Sequence, residues 1–220
     1  MNKNKYISIA IDGAAGSGKS TTSKSLCKKF NYIHVDTGLH YRSICYFLKN
    51  INISAKNVKS YLDNNTLEID SLIDGYSCLL QINGNIYNSD LLRTECMNQN
   101  VSYYARLPEI RSLLLSYQRG LPMFGLKSGF SGMIMDGRDI GSVVLPNADL
   151  KFFLHADLSI RESRRTADGE SSNLSKRDSI DTQRKIAPLV CPDGAISLDT
   201  GILPMNKVVS RISDEIISIL

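Results

Sequence analysis

Short runs of β-branched and aliphatic residues alternate along the chain with stretches in which apolar residues return every three or four positions. The first pattern reads as strands buried on both faces, the second as helices with one apolar side. A strand is predicted over residues 6–11 (Tyr-Ile-Ser-Ile-Ala-Ile), followed by a Gly-rich turn from Gly13 to Gly18. A helix is then predicted over 19–30, with Leu26 and Phe30 four apart and Lys24, Lys28 and Lys29 toward water. A second strand is expected at 32–35 and a helix at 39–48. Further strands are expected at 133–135, 149–154 and 195–198, with a helix at 159–165 between the last two. Val208, Val209, Ile212, Ile216 and Ile219 give the C-terminal helix its apolar side. Strands alternating with helices predict an α/β fold on a five-stranded parallel sheet with right-handed crossovers.

Residues 51–87 break this rhythm and are rich in Asn, Ser and Asp. Asn83-Gly84 between two short β-prone runs predicts a hairpin over 79–82 and 85–87. Helices are predicted at 90–103 and 108–119, the second opening with proline at its first position. The segment 51–119 is therefore expected as an insert carried by a core of residues 1–50 and 120–220.

Composition narrows the picture further. With 42% hydrophobic and 22% charged residues, the 220-residue chain is globular rather than disordered and long enough to bury a core without staples. A net charge of +4 without any block of like charge predicts no nucleic-acid partner. Cys27, Cys45, Cys78, Cys96 and Cys191 lie far apart, so neither a disulfide framework nor a zinc site is expected; each is read as a small buried hydrophobe. That usage fits a reducing, cytoplasmic setting. No run approaches the roughly 18 apolar residues of a membrane span. The apolar run at 7–11 ends at Asp12, too short for a signal peptide. A monomer is expected.

The chemistry enters with Gly13-Ala14-Ala15-Gly16-Ser17-Gly18-Lys19-Ser20, which fits G-x-x-x-x-G-K-[ST] between a predicted strand and a predicted helix. Glycines let successive amides converge as an anion nest, and the start of the helix adds its positive dipole end. Lys19 is a point charge for β and γ phosphates, and Ser20 offers a hydroxyl to Mg²⁺. Composition alone gives roughly one accidental match per hundred such chains. The motif predicts a nucleoside triphosphate but leaves the acceptor open.

Three further blocks fall just past predicted strands or on a helical spacing. Asp36-Thr37-Gly38-Leu39-His40-Tyr41-Arg42 and Asp136-Gly137-Arg138-Asp139 follow strands, where ligands of parallel sheets collect. Tyr41 suits stacking on a planar base, and Arg42 suits a phosphate. Arg177, Asp181 and Arg184 are spaced to share one helix face. His34, His40 and His155 have no neighbour at ligand or relay spacing and are read as structural.

Together these blocks resemble bacterial-type cytidylate kinases, P-loop nucleoside monophosphate kinases, from about Ile7 to the C-terminal helix. The matching stretches are the P-loop, Asp36-Thr37-Gly38 with Tyr41-Arg42, Ser102 and Arg111, Asp136-Gly137-Arg138-Asp139 with Gly141-Ser142-Val143-Val144, and Arg177, Asp181 and Arg184 before Ile186-Ala187-Pro188-Leu189. The resemblance implies a three-layer P-loop fold with an inserted monophosphate-binding subdomain and a lid at about 161–185. It implies transfer of the ATP γ-phosphoryl group to CMP or dCMP with Mg²⁺. Residues 13–20 and Thr21 would hold ATP. Ser102, Arg111 and Asp139 would read the cytosine edge and Tyr41 would stack on it. Arg42, Arg138 and Arg184, with Lys19, would hold the monophosphate and the migrating group. Asp36 would sit beside the phosphates, and Asp181 with Arg177 would reach the ribose. Asp139 accepts only, so it suits the N4 amine of cytosine and would repel the O4 of uracil.

The polar stretch 166–176 is shorter than the family's usual lid arm, and Arg161, Arg164 and Arg165 at its base are candidates for ATP phosphates or adenine. A P-loop kinase for UMP or a shikimate-like acceptor, and a nucleotide-dependent switch, are the alternatives. The first lacks a reason for Ser102, Arg111 and Asp139. The second lacks an Asn-Lys-x-Asp guanine motif.

Overall fold

The computed structural model describes residues 5–169 and 173–220. Residues 1–4, at the start of the expected core, and 170–172, within the expected lid, lie outside. β1 (Ile7–Asp12), α1 (Lys19–Phe30), β2 (Tyr32–Asp36) and α2 (Thr37–Asn50) come first. α3 (Val58–Asn64), the hairpin β3 (Ile69–Asp74) and β4 (Ser77–Ile82), then α4 (Ser89–Leu92), α5 (Glu95–Tyr104) and α6 (Pro108–Lys127) follow. β5 (Gly132–Gly137), β6 (Leu150–His155), α7 (Leu158–Ala167), α8 (Leu174–Thr182), β7 (Ile196–Asp199) and α9 (Met205–Ser218) complete the described chain.

The sheet runs β3-β4-β2-β5-β1-β6-β7. Five of its parallel strands, β2, β5, β1, β6 and β7, are those the hydrophobic runs predict. The count of five is corrected to seven, because the antiparallel β3–β4 hairpin joins the β2 edge through one pair, His34 with Ser77. β3 escapes the hydrophobic pattern because it alternates half-buried and exposed residues, as suits an edge strand.

Ile7, Ile9, Ile11, Phe152 and Leu154 face α1 and α9 and meet Leu26, Cys27, Val208, Ile212 and Ile216. Ala10, Ile33, Val35, Met133 and Met135 face the other way, onto Leu121 of α6. A third apolar cluster packs Ile44 and Leu48 of α2 against Leu80, Ile82, Met97, Ile110 and Leu114. Gly132 lets β5 pass between its neighbours, since a Cβ there would lie 2.6 Å from the Ile7 carbonyl and 2.7 Å from the Tyr32 ring. Gly132→Ala is therefore expected to lower stability by about 2 kcal/mol, read from chemical denaturation; an unchanged midpoint would refute this packing.

Local details depart from the sequence expectations. Asn83-Gly84 does turn the chain, with φ of 49° and 74°, and closes Ile82 onto Asn85. The strand ends there, however, and β4 pairs backward with β3 because Asn83 ties itself to Glu68 through backbone and side chain. The helix expected at 90–103 is two, since Thr94 caps a new start by accepting from the Met97 amide. The helix expected to stop at 119 continues through Gly120 and Pro122 to Lys127, held by the burial of Leu121 and Gly125; the boundary expected at 119/120 thus falls inside α6. Cys96 and Cys191 are exposed, correcting the expectation of five buried thiols. Among the described residues, no helix is long and apolar enough to cross a membrane.

Candidate active site

A cavity of about 440 Å³ opens at the carboxyl ends of β1, β2 and β5. Its walls gather Ala15, Gly16, Gly18, Lys19, Ser20 and Thr21 from the loop after β1, with Asp36, Tyr41, Arg42, Ser102, Arg138, Asp139, Arg177, Asp181 and Arg184. Gly13, Ala14, Ser17 and Arg111 do not line it, and the Arg111 guanidinium pairs with Asp139.

The loop is built to present amides. Gly13, Gly16 and Gly18 have φ of 151°, 76° and 85°. A Cβ at Gly16 would press on the Arg161 backbone at 2.8 Å. Four consecutive carbonyls, whose lone pairs would repel phosphate, are each engaged by a donor. Lys19 Nζ donates to Ala14 O (2.7 Å), Arg161 Nη1 to Ala15 O (3.1 Å), Arg164 Nη1 to Gly16 O (3.4 Å) and Thr200 Oγ1 to Ser17 O (3.1 Å). The start of α1 at Lys19 adds the positive helix end. These features fit a polyphosphate. They also give Arg161 and Arg164 a role the sequence did not suggest, as braces of the loop. Arg161 further reaches Asp178 of α8 at 2.6 Å.

Burial and neighbouring Arg138 push the Lys19 ammonium down to about 7, against the pull of Asp136 and Asp36. Ser20 Oγ stands 3.2 Å from Asp136 Oδ1 and 3.5 Å from Asp36 Oδ2. One hydroxyl between two carboxylates is a hard oxygen set that fits Mg²⁺. Burial would raise Asp136, but the His34 imidazole 2.7 Å away and Lys19 outweigh it and hold the carboxyl low. Nothing in the sequence pattern signals this pairing, because the partners are on different strands. Asp36 caps α2 by accepting from the Leu39 amide and faces Arg93 at 3.4 Å.

The opposite wall is cationic. Asp181 is buried, with Arg138 Nε on Oδ2 at 2.9 Å and Arg184 Nη2 on Oδ1 at 2.6 Å. Burial would raise Asp181, but these arginines and Arg177 hold it below its usual range. Arg184 lies past the end of α8, so the three spaced residues do not share one helix face as expected. Burial and mutual repulsion push Arg42 down to about 9 and both Arg165 and Arg177 down to about 10. Such a cluster gains from an added anion. Arg42 donates to the Leu92 carbonyl and to Asn98 Oδ1, each at 2.7 Å, which anchors it to α4 and α5.

Asp139 and Arg111 form a buried pair, and Ser102 is buried at the wall of the same cavity as Asp139. Burial pushes the Asp139 carboxyl up, against the pull of Arg111 and Arg184. The Arg111 guanidinium sits 5.7 Å from the centre of the Tyr41 ring. His40 is buried against Tyr117, and its imidazole is pushed down to about 4 by burial.

A phosphate cradle that shares one cavity with an arginine-lined half ending in a buried polar pair defines a P-loop kinase of small acceptors. The chain belongs to the cytidylate kinase family, whose model matches residues 9–218. It is 36% identical over 222 residues to a cytidylate kinase of Geobacillus sp. (strain WCH70), covering 94% of this chain and 95% of that one. It is 37% identical over 220 residues to that of Clostridium tetani (strain Massachusetts / E88), covering 93% and 91%. The cytidylate kinase of Caldanaerobacter subterraneus is 36% identical over 224 residues, covering 97% and 96%. The chain is accordingly a nucleoside monophosphate kinase.

Proposed function

We propose that this chain transfers the γ-phosphoryl group of ATP to CMP or dCMP, releasing ADP and CDP or dCDP, with the residues of the cavity divided between donor and acceptor. The observation that carries this reading is Asp139, which lines the same cavity as the amide cradle and is paired in the interior with Arg111. Asp139 accepts from the cytosine N4 amine, while Arg111 and Ser102 donate to N3 and O2. Tyr41 stacks on the ring. Uracil leaves Asp139 facing an acceptor, a mismatch that a buried polar site penalises heavily. The same reading divides the chain into a core of residues 1–50 and 120–220, an acceptor-binding insert at 51–119 whose last helix, α6, runs on into the core, and a lid at about 161–185.

ATP lies with its phosphates on residues 13–20 and Thr21. Ser20, with Asp36 and Asp136, would hold Mg²⁺. The ion neutralises phosphate charge when bound. Arg42, Arg138 and Arg184 orient the acceptor phosphate. One of its oxygens forms the new P–O bond as the bond from the γ-phosphorus to the β-bridging oxygen breaks. That oxygen is already anionic, so no general base is needed. Lys19 and the arginines stabilise the negative charge spread over the migrating group. Asp181, through Arg138 and Arg184, keeps two of them in place, and with Arg177 it borders the ribose.

The test is ADP release over CMP, dCMP, UMP, AMP and GMP. CMP and dCMP are expected to lead, and faster turnover of UMP would sink the base-reading roles. Asp139→Ala is expected to raise the KM for CMP about tenfold or more, the worth of a lost charge-assisted hydrogen bond, with little change for ATP. Equal rises for both substrates would count against that role.

A further inference from the structure

Two side chains outside the acceptor wall hold the turn that follows Asp139. Asp12, the last residue of β1, is fully buried, and its two carboxylate oxygens accept from the amides of Ile140 and Gly141, each at 2.7 Å. Arg119, on α6, donates from Nε to the Val144 carbonyl at 3.2 Å and from Nη2 to the Val143 carbonyl at 2.9 Å. Between these clamps, the amides of Val143 and Val144 close back on the Asp139 carbonyl at 2.9 and 3.1 Å, making a π-helical turn over Ile140–Val144. Such turns are rare and costly to keep without support. Asp139 itself sits at φ −145° and ψ 29°, outside the helix and strand basins. One clamp therefore grips the peptide leaving Asp139, and the other grips the carbonyls of Val143 and Val144, the residues whose amides hold the Asp139 carbonyl.

We infer that Asp12 and Arg119 are positioning residues for choice of the pyrimidine: they fix the backbone from which the Asp139 carboxylate reaches the base. This rests on the reading of Asp139 as acceptor of the cytosine amine. A carboxylate free to swing loses the short bond to the amine and escapes the repulsion from a uracil carbonyl. Discrimination falls before catalysis does. Asp12 also adjoins Gly13, so its replacement disturbs both halves of the site. Arg119 lies on the far side of the turn and lines no part of the cavity, which makes it the cleaner probe.

Arg119→Met keeps the aliphatic stem and removes both donors. The ratio of kcat/KM for CMP to that for UMP is expected to fall about tenfold, the factor of one hydrogen bond to a backbone carbonyl, with the KM for ATP unchanged. Arg119→Lys, which keeps one donor group, is expected to retain part of the ratio and serves as the second probe should the methionine variant fold poorly. Asp12→Asn is expected to shift the ratio the same way. In an Asp139→Asn background, Arg119→Met is expected to change the ratio no further, since coupled residues are non-additive. An unchanged ratio, the same loss in both backgrounds, or a parallel rise in the KM for ATP would overturn the positioning role and leave Asp139 as the base reader. An Asp139→Asn enzyme that still prefers CMP would overturn the base reading, and the inference with it.

Discussion

Lys19→Ala is expected to abolish turnover while the fold survives. The Lys19 ammonium is buried, donating to the Ala14 carbonyl at 2.7 Å and standing 3.4 Å from Ser17 Oγ. Burial already pushes it down to about 7, so the site holds a cation that gains when phosphate oxygens arrive. Negative charge grows on the oxygen between β and γ phosphorus as the bond breaks, and a preorganised cation beside it acts in a water-poor cavity. Removing one such group costs kcat roughly 10³-fold. The fold loses a single loop brace, because Arg161, Arg164 and Thr200 still engage the next three carbonyls. Coupled ADP release measures the first effect and far-ultraviolet circular dichroism the second. A variant retaining a substantial part of the wild-type rate would remove the loop from the mechanism.

Asp181→Ala is expected to cost the fold about 3 kcal/mol or more, the range for stripping one partner from a buried ion pair. Both Asp181 oxygens are taken by arginines, and Arg177 adds a third positive neighbour. Without the carboxylate, these guanidinium groups face one another across a partly dry space. Urea denaturation gives the loss. A change smaller than that of an ordinary surface substitution would mean the arginines find compensation in water. Activity should fall as well, since Arg138 and Arg184 lose the anchor that aims them.

The glycine-rich half of the candidate site is legible because it is local. Eight consecutive residues between a strand and a helix specify the cradle, and the structure builds it there. The strands of the parallel core are legible for a similar reason, as a short β-prone apolar run marks each. What escapes is whatever depends on partners far away in sequence. Asp12 reads as the polar end of a strand, yet it binds amides at 140 and 141. His34 reads as an isolated imidazole, yet it pairs with Asp136. Arg119 reads as the end of a helix, yet α6 runs on and Arg119 turns inward to the turn after β5. Gly120 and Pro122 suggest a stop that burial of Leu121 overrides. Edge strand β3 leaves no mark, because half of it faces water.

The order of strands also bears on how this chain is made. β1 ends at residue 12, but the strands on either side of it, β5 and β6, begin at residues 132 and 150. A nascent polypeptide cut short before residue 132 carries the whole phosphate motif with no strand beside it to hold it open, and leaves Ile7, Ile9 and Ile11 unsheltered. Prematurely terminated products are therefore expected to expose these side chains, and under the proposed function a nucleotide can steady the molecule only once translation has passed residue 132.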